Sequence, residues 1–216
     1  MSGEDRIQTE IARLEQALRD ARRAFGDNPP EVLTAMLNLA EALWAQGRLI
    51  AARKLEEAVV AGRRHVLGPD DPDTLKAIGK LAVTIAAQGE LGRARELQEE
   101  VVTGMQALYG ETGRDTLRAI NNLAGTVAAQ GDIAGARITL QRVIAITTRE
   151  YGERDPDCIT AMGNLAGILW QDGDWDEAYE LQREVVDLHR QVHGNDAQTT
   201  LIAAAILETM KRSTLD

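Results

Sequence analysis

Histidine and cysteine are the residue types in this chain with the greatest capacity for catalysis or metal binding. His189 and His193 are four residues apart, so on a helix both imidazoles would lie on one face and could share a metal ion. No H-E-x-x-H arrangement is present and no third ligand stands out, so we expect two solvated histidines. The single cysteine, Cys158, lacks an assignable histidine or asparagine partner and is expected to be a structural or surface thiol. We therefore predict no enzymatic activity, no metal and no cofactor.

The overall charge restricts the kind of partner. The 216 residues include 34 acidic and 24 basic side chains, a net charge of −10, so the surface as a whole should repel nucleic acid and anionic membranes. A single cysteine excludes an intrachain disulfide, and no apolar run approaches the roughly 18 residues that a membrane span needs. The N-terminal segment has no apolar signal core. We expect a soluble, cytoplasmic protein that binds neither nucleic acid nor membranes.

One short phrase recurs along the chain with a period of 42 residues. An Asn-Leu-Ala or Lys-Leu-Ala triplet begins at Asn38, Lys80, Asn122 and Asn164, and a glycine follows each triplet at Gly47, Gly89, Gly131 and Gly173. A second glycine series has the same period: Gly26, Gly68, Gly110, Gly152 and Gly194. Self-similarity at a fixed period of this size indicates a repeat architecture.

Each period reads as two helices separated by a glycine turn. Helix A, with about 16 residues, leads to the first glycine, and helix B leads to the second. One position of helix B is always alanine: Ala52, Ala94, Ala136 and Ala178. A small side chain at this position lets two helices approach closely, and a larger one would overpack.

The periodicity predicts an all-α solenoid that occupies residues 1–216 as one domain. The four full repeats are residues 27–68, 69–110, 111–152 and 153–194. An N-terminal capping helix, residues 4–26, and a C-terminal capping helix, residues 196–212, flank the repeats. Repeat arrays need such caps to cover the two ends of the stack.

The spacing of Asn-Leu-Ala, glycine and alanine resembles the tetratricopeptide repeat. The 42-residue period resembles the longer variant found in kinesin light chains, which Gly68-Pro-Asp-Asp-Pro-Asp-Thr74 and Asn121-Asn-Leu-Ala124 match closely. The resemblance covers residues 27–194 and extends through the capping helices. It implies a right-handed superhelix of antiparallel helix pairs whose concave face is lined by helix A. Lys80 departs from the pattern, since the other repeats have asparagine there.

The resemblance also implies which side chains face the concave groove: Asn38, Glu41, Trp44, Lys76, Lys80, Arg118, Asn121, Asn122, Gly125, Asn164, Gly167 and Trp170. Asparagine amides can pair with the N–H and C=O groups of a peptide backbone. Three cationic side chains against one acidic one would attract carboxylates, and glycines would let a backbone come close. The prediction is a non-enzymatic protein-interaction module that binds an extended peptide segment with acidic side chains or a C-terminal carboxylate.

Three alternatives stay open. The asparagines could hydrogen-bond to neighbouring helices while the glycines only allow tight packing. The protein could be a scaffold or sensor that acts through its outer surface or self-associates, as a homodimer rather than a monomer, with Trp44 or Trp170 between copies. The groove could also bind a small molecule or catalyse a reaction.

Two further predictions concern helix B. The acidic pairs Glu56-Glu57 and Glu99-Glu100 should lie on a solvated outer face, because runs of charge are usually solvated. Trp175, in a position that is otherwise aliphatic, should belong to the core.

Overall fold

The computed structural model describes residues 3–26 and 29–213, and within them the side chains of residues 8–26 and 29–212. These residues form ten helices and no strand. The helices are α1 Gly3–Phe25, α2 Pro30–Ala45, α3 Leu49–Val66, α4 Pro72–Ala87, α5 Leu91–Tyr109, α6 Arg114–Ala129, α7 Ile133–Tyr151, α8 Pro156–Asp172, α9 Trp175–His193 and α10 Gln198–Ser213. The prediction of an all-α fold is confirmed.

The helices alternate as the glycine spacing predicts. Each of the pairs α2/α3, α4/α5, α6/α7 and α8/α9 consists of a helix A of 16 or 17 residues and a helix B, and α1 and α10 are the capping helices. Backbone φ lies between 71° and 98° at the turn glycines Gly26, Gly47, Gly68, Gly89, Gly110, Gly131, Gly152, Gly173 and Gly194. Residues with a side chain rarely adopt a positive φ, so glycine is the residue that ends the helix at these positions. The predicted solenoid of helix pairs is confirmed.

Aspartate and proline determine where two of the A helices begin. The side chain of Asp71 accepts a hydrogen bond from the backbone N–H of Asp73 at 2.8 Å, and Asp155 accepts one from Asp157 at 3.0 Å. A proline occupies the first helical position in both cases, where its missing N–H costs nothing. The caps satisfy backbone donors that the helix itself leaves without acceptors.

The residues cluster into two compact units, Met1–Leu108 (unit 1) and Tyr109–Asp216 (unit 2). The predicted close-approach alanines are fully buried in both, Ala52 and Ala94 in unit 1 and Ala136 and Ala178 in unit 2. Aliphatic side chains surround them, such as those of Leu140, Leu165 and Leu169 in unit 2. Whether residues 1–216 act as one domain stays a prediction.

Two predictions about helix B are wrong. Trp175 is 54% exposed, and its ring lies beside that of Trp170, with 6.3 Å between ring centroids and an angle of 46° between the ring planes. Glu56 is only 3% exposed, whereas Glu57 is exposed. Consecutive helical residues point about 100° apart, and this rotation places Glu56 on the buried side of α3 and Glu57 on its exposed side.

Candidate binding surfaces on helix A

The predicted groove residues of unit 1 lie on the exposed sides of α2 and α4. Asn38, Glu41 and Trp44 are exposed on α2, and Lys76 and Lys80 are exposed on α4. The ammonium group of Lys80 forms an ion pair with the carboxylate of Glu41, which links the two A helices. Of the predicted residues on this surface, two are lysines and one is a glutamate, while the exposed Glu31 and Asp73 lie in the first turns of the same two helices.

A buried carboxylate lies near this surface. One oxygen of Glu56, Oε2, has no hydrogen-bond partner among the described residues. Burial raises the pKa of Glu56, while the hydroxyl of Thr84 and the charge of Lys80 partly oppose that rise. Lys80 thus interacts with both Glu41 and Glu56. Sequence reasoning missed this link because it assigned Glu56 to the solvent.

In unit 2 the predicted residues come together in a small cleft. The Nε group of Arg118 donates to Asp157 at 2.6 Å, and the side-chain amide of Asn164 donates to Asn121 Oδ1 at 3.1 Å. Asn121 is buried, at 7% exposure, whereas Asn122 and Asn164 are exposed. The cleft has a volume of about 200 Å³ and is lined by Leu117, Arg118, Asn121, Asn122, Val143, Thr147, Asp157 and Thr160.

Arg114 organises the rim of this cleft and was missed from the sequence. Its Nη1 group donates to both carboxylate oxygens of Asp155, at 2.9 and 2.8 Å, and to Asp157 at 2.8 Å. Its guanidinium carbon lies 4.2 Å from the ring centroid of Tyr151, within the range of a cation–π contact. The signal was present in Asp155 and Asp157, which the sequence identified only as a helix start.

These contacts change the predicted charge of the helix-A surface in unit 2. Arg118 lies between the carboxylates of Asp157 and Asp115. Together with Asp155, the three aspartates outnumber Arg114 and Arg118. Acidic side chains therefore offset the cationic excess predicted for the groove, and in unit 1 Glu31 and Asp73 occupy the positions that correspond to Asp115 and Asp157.

The glycines inside helix A are not required by packing. A Cβ atom placed on Gly125 or Gly167 would meet no other atom within 4 Å. On Gly79 or Gly163 the nearest atom would be a valine methyl at 4.0 Å, an ordinary contact. Alanine would therefore fit at all four positions. The alternative in which these glycines only allow tight packing finds no support in the contacts.

Two glycines of helix B show what a packing glycine looks like. A Cβ atom on Gly62 would lie 2.7 Å from Leu33 Cδ2, and one on Gly104 would lie 2.6 Å from Leu75 Cδ1. Both leucines are buried in the core of unit 1. At these positions glycine makes room for a side chain from the paired helix A, which is a role that the helix-A glycines lack.

The remaining candidates have structural environments. Cys158 is fully buried, with its sulfur 3.3 Å from the hydroxyl of Thr148, so it is a structural thiol rather than a surface one. The rings of His189 and His193 are 5.7 Å apart; burial, and then the charge of His193, lowers the pKa of His189. Among the described residues, no group of three or more His, Cys, Asp or Glu could hold a metal ion. None of the described helices is long and apolar enough to cross a membrane.

Comparison with known proteins identifies the repeat. Tetratricopeptide repeat family models match the chain, one over residues 32–73 and 158–196, another over 73–149 and 115–174. No curated protein matches the sequence.

Solved structures of repeat proteins are similar to most of the chain. One of them consists of the nearly identical TPR-like repeats of a putative kinesin light chain from Podosopora anserina. Its sequence is 26% identical to that of this chain, the TM-score is 0.66, and the match covers 88% of this chain and 90% of that one. A variant of the same repeats has the same identity, a TM-score of 0.69 and coverage of 87% and 89%. BtubC (BKLC) from P. vanneervenii shares the fold at 16% identity, with a TM-score of 0.68 and coverage of 96% and 92%.

The family models span most of the four repeats. The same 42-residue period relates the glycine turns, the close-approach alanines and the exposed side chains of helix A. Repeats of this type are protein-interaction modules. The chain belongs to the tetratricopeptide repeat family and has repeats of the kinesin light chain type.

Proposed function

We propose that the exposed sides of the A helices bind an extended segment of a partner protein, without catalysis. A segment that binds to unit 1 carries acidic side chains or a C-terminal carboxylate, which lie opposite Lys76 and Lys80. The observation that carries the proposal is the open space around Gly125 and Gly167.

The energetic cost of these glycines supports a binding role. Glycine inside a helix is less stable than alanine by roughly 0.5–1 kcal/mol. Gly125 and Gly167 incur this cost although a methyl group would fit at both positions. A partner backbone that lies against the helix would supply the missing reason, because it can approach a glycine more closely than an alanine.

The amide side chains supply hydrogen bonds for such a backbone. Each amide has two N–H groups and one acceptor oxygen. The hydrogen bond from Asn164 to Asn121 uses one N–H of the Asn164 amide. Asn164 is exposed, so its second N–H and its amide oxygen can bind a partner. Contacts of this kind recognise a peptide backbone independently of its side chains.

The charge preference is assigned to unit 1. Lys76 and Lys80 lie one helical turn apart on α4, and Lys80 forms an ion pair with Glu41 of α2. A carboxylate of the partner would replace Glu41 beside Lys80, or bind next to that pair. Charge-assisted hydrogen bonds of this type are shorter and stronger than neutral ones.

The glycine argument is tested with peptides selected from a display library of random short segments with free C-termini. Replacing Gly125→Ala and Gly167→Ala together should weaken binding of the selected peptides about tenfold, the equivalent of about 1.4 kcal/mol. The same change should raise the free energy of unfolding by roughly 0.5–1 kcal/mol per site. The control is Gly92→Ala, since a Cβ there also meets open space but lies on helix B; it should gain stability without losing affinity. Unchanged affinity in the double variant would refute the proposal.

The charge preference needs a separate variant. The double change Lys76→Gln and Lys80→Gln should weaken the binding of acidic peptides. Lys54 is an exposed lysine on α3, and Lys54→Gln should leave that binding unchanged. Glutamine is preferred to glutamate at position 80, because a glutamate would repel both Glu41 and the buried Glu56. If the selected peptides contain no excess of carboxylates, the acidic preference is wrong even where the glycine test succeeds.

Self-association is a second candidate, favoured by exposed apolar side chains. Trp44 is 43% exposed on α2, and Leu201, Ile202 and Ile206 are exposed on α10. Light scattering over a concentration series tests it, because a dimer should dissociate on dilution. A constant monomer mass would exclude it.

A further inference from the structure

A groove on the helix-B side of unit 2 is larger than the cleft between the A helices. It lies between α7 and α9, has a volume of about 840 Å³, and has side chains of α8 at its floor. The floor is apolar, formed by Ile144, Met162, Leu165, Leu181 and Leu188. The wall on α7 is neutral, with Gln141, Ala145 and Thr148. We call this the outer groove.

The opposite wall of the outer groove is acidic. Glu177, Glu180 and Asp187 line it, and each is paired with an arginine, namely Arg137 at 2.6 Å, Arg183 at 2.5 Å and Arg190 at 3.0 Å. Glu153 and Glu184 also line the groove, and neither forms an ion pair within the described part of the chain. Burial raises the pKa of Glu184, and the adjacent carboxylate of Glu153 raises it further. Two neighbouring carboxylates beside an apolar floor thus lack a cation.

Unit 1 shows what the missing cation would be. Residue 100 corresponds to residue 184 after two periods, and Glu100 there pairs with Arg64 of α3 at 2.5 Å. That ion pair connects the two B helices of unit 1. In unit 2 the position of Arg64 is occupied by Thr148, whose hydroxyl contacts Cys158 rather than Glu184. The glutamate at this position is therefore paired with an arginine in unit 1, and in unit 2 it has no ion pair among the described residues.

We propose that the outer groove of unit 2 binds an amphipathic helix of a partner protein, with apolar residues against the floor and Arg or Lys residues beside Glu184 and Glu153. The charge of the groove favours a cationic partner, since Glu184 and Glu153 have no ion pair among the described residues, whereas the other three carboxylates that line it are each paired with an arginine. A helix satisfies its own backbone hydrogen bonds, which suits a floor made of aliphatic side chains. An amphipathic helix in an apolar groove between helices is also a recurrent mode of recognition. This surface is separate from the proposed peptide site on the A helices.

The test uses the whole chain and a labelled synthetic helix as long as α9, 19 residues. Leucines form one face of the peptide, arginines flank them, and alanines fill the remainder. Fluorescence anisotropy at physiological ionic strength should detect binding. Glu184→Gln should weaken it about tenfold, as expected for loss of a charge-assisted hydrogen bond. Thr148→Arg should weaken it at least as much, because the new arginine would pair with Glu184 and cross the groove.

Matched controls separate the groove from the overall acidity of the chain. Glu208→Gln on α10 removes the same charge at another exposed site, and Thr103→Arg adds the same charge on α5; both should change affinity less than about twofold. A peptide with serine in place of leucine keeps its charge and should not bind. Thermal melts followed by circular dichroism check that each variant folds, and Glu184→Gln keeps the test valid if Thr148→Arg does not fold.

Several results would overturn the proposal. No binding of the leucine–arginine helix, equal loss of affinity in Glu184→Gln and Glu208→Gln, or equal binding of the serine peptide would each exclude a specific groove. Tighter binding of a proline-containing extended peptide of the same charge would exclude a helical partner. A dimer that Thr148→Arg converts to monomers would show that a second copy of this chain occupies the groove.

Discussion

Units 1 and 2 have the same helix pairs but fill the crossing between helix A and helix B differently. In unit 1, Leu33 and Leu75 extend over Gly62 and Gly104 of the paired helix. After two periods the equivalent glycine positions are Ile146 and Leu188 in unit 2, and Leu188 is buried in the same cluster as Ile159. The same backbone plan thus accommodates either a glycine or a large aliphatic residue at this position of helix B.

The two units also differ in how they neutralise charge. Unit 1 has an ion pair between A helices, Lys80 with Glu41, and one between B helices, Arg64 with Glu100. Unit 2 concentrates its pairs around Arg114 on the helix-A side and leaves Glu184 without an ion pair to the described residues on the helix-B side. Repeats that share a fold can therefore differ in which face is available to a partner.

The largest expected effect comes from exchanging the packing residues. Gly104→Leu should lower the free energy of unfolding by about 2 kcal/mol or more, because the new side chain would displace the buried Leu75. The reciprocal change, Leu188→Gly, should cost about 3 kcal/mol or more through the cavity and the added helix flexibility. Urea denaturation measures both. Gly92→Leu, at an open position of α5, is the control; equal losses at positions 92 and 104 would contradict the packing difference.

A smaller effect is expected at the buried carboxylate of unit 1. Glu56→Gln should raise the free energy of unfolding by about 1 kcal/mol at neutral pH, since a buried carboxylate is costly. Glutamine already occupies two of the three equivalent buried positions, Gln98 and Gln182.

The pH dependence of that gain follows from the direction of the shift. A glutamate side chain ordinarily has a pKa of about 4.5, and the pKa of Glu56 in the folded protein lies above that value. Protonation therefore favours the fold, and this stabilisation is complete below pH 4.5 and lost as pH rises through the raised pKa. Glu56→Gln should thus gain stability only as pH rises through that window. Melting temperatures across a pH series measure this, with Glu208→Gln as the control. An equal gain below pH 4.5 would contradict the assignment.

The smallest effects concern the ion pair between B helices. Arg64→Thr should lower the free energy of unfolding by less than about 1 kcal/mol, and Thr148→Arg should raise it by a similar amount, because both groups are partly exposed. High salt should remove both changes. A further measurement is the number of leucine–arginine helices bound per protein chain. That number should increase if Arg64→Thr makes the equivalent groove of unit 1 available. Effects that persist at high salt would show that packing, not charge, distinguishes the two grooves.

Much of the fold could be predicted from particular residues. Gly47 and Gly68 mark turns because few other residues adopt a positive φ, and Ala52, where a small side chain predicts a close approach of two helices, is fully buried. Each of these requirements belongs to a single position, so the sequence displays it directly.

The candidate site was less predictable. Asn38, Lys76 and Lys80 are exposed, in agreement with what the family resemblance implies, but Asp157 was not recognised as the partner of Arg118. These residues are 39 positions apart, and their contact depends on how one A helix lies against the next. Periodicity predicts the equivalent positions in each repeat, whereas it does not predict which charged neighbours meet.

The helical repeat and the glycine turns between its helices could be read from the amino-acid sequence, because turns, periodicity and small-residue positions are local properties. Three features emerged only from the folded chain: Glu56 is buried while Glu57 is exposed, Lys80 interacts with two carboxylates, and Glu184 has no counterpart to Arg64. Those outcomes depend on the packing of consecutive helices, where the angle and spacing of neighbouring backbones select which side chains touch.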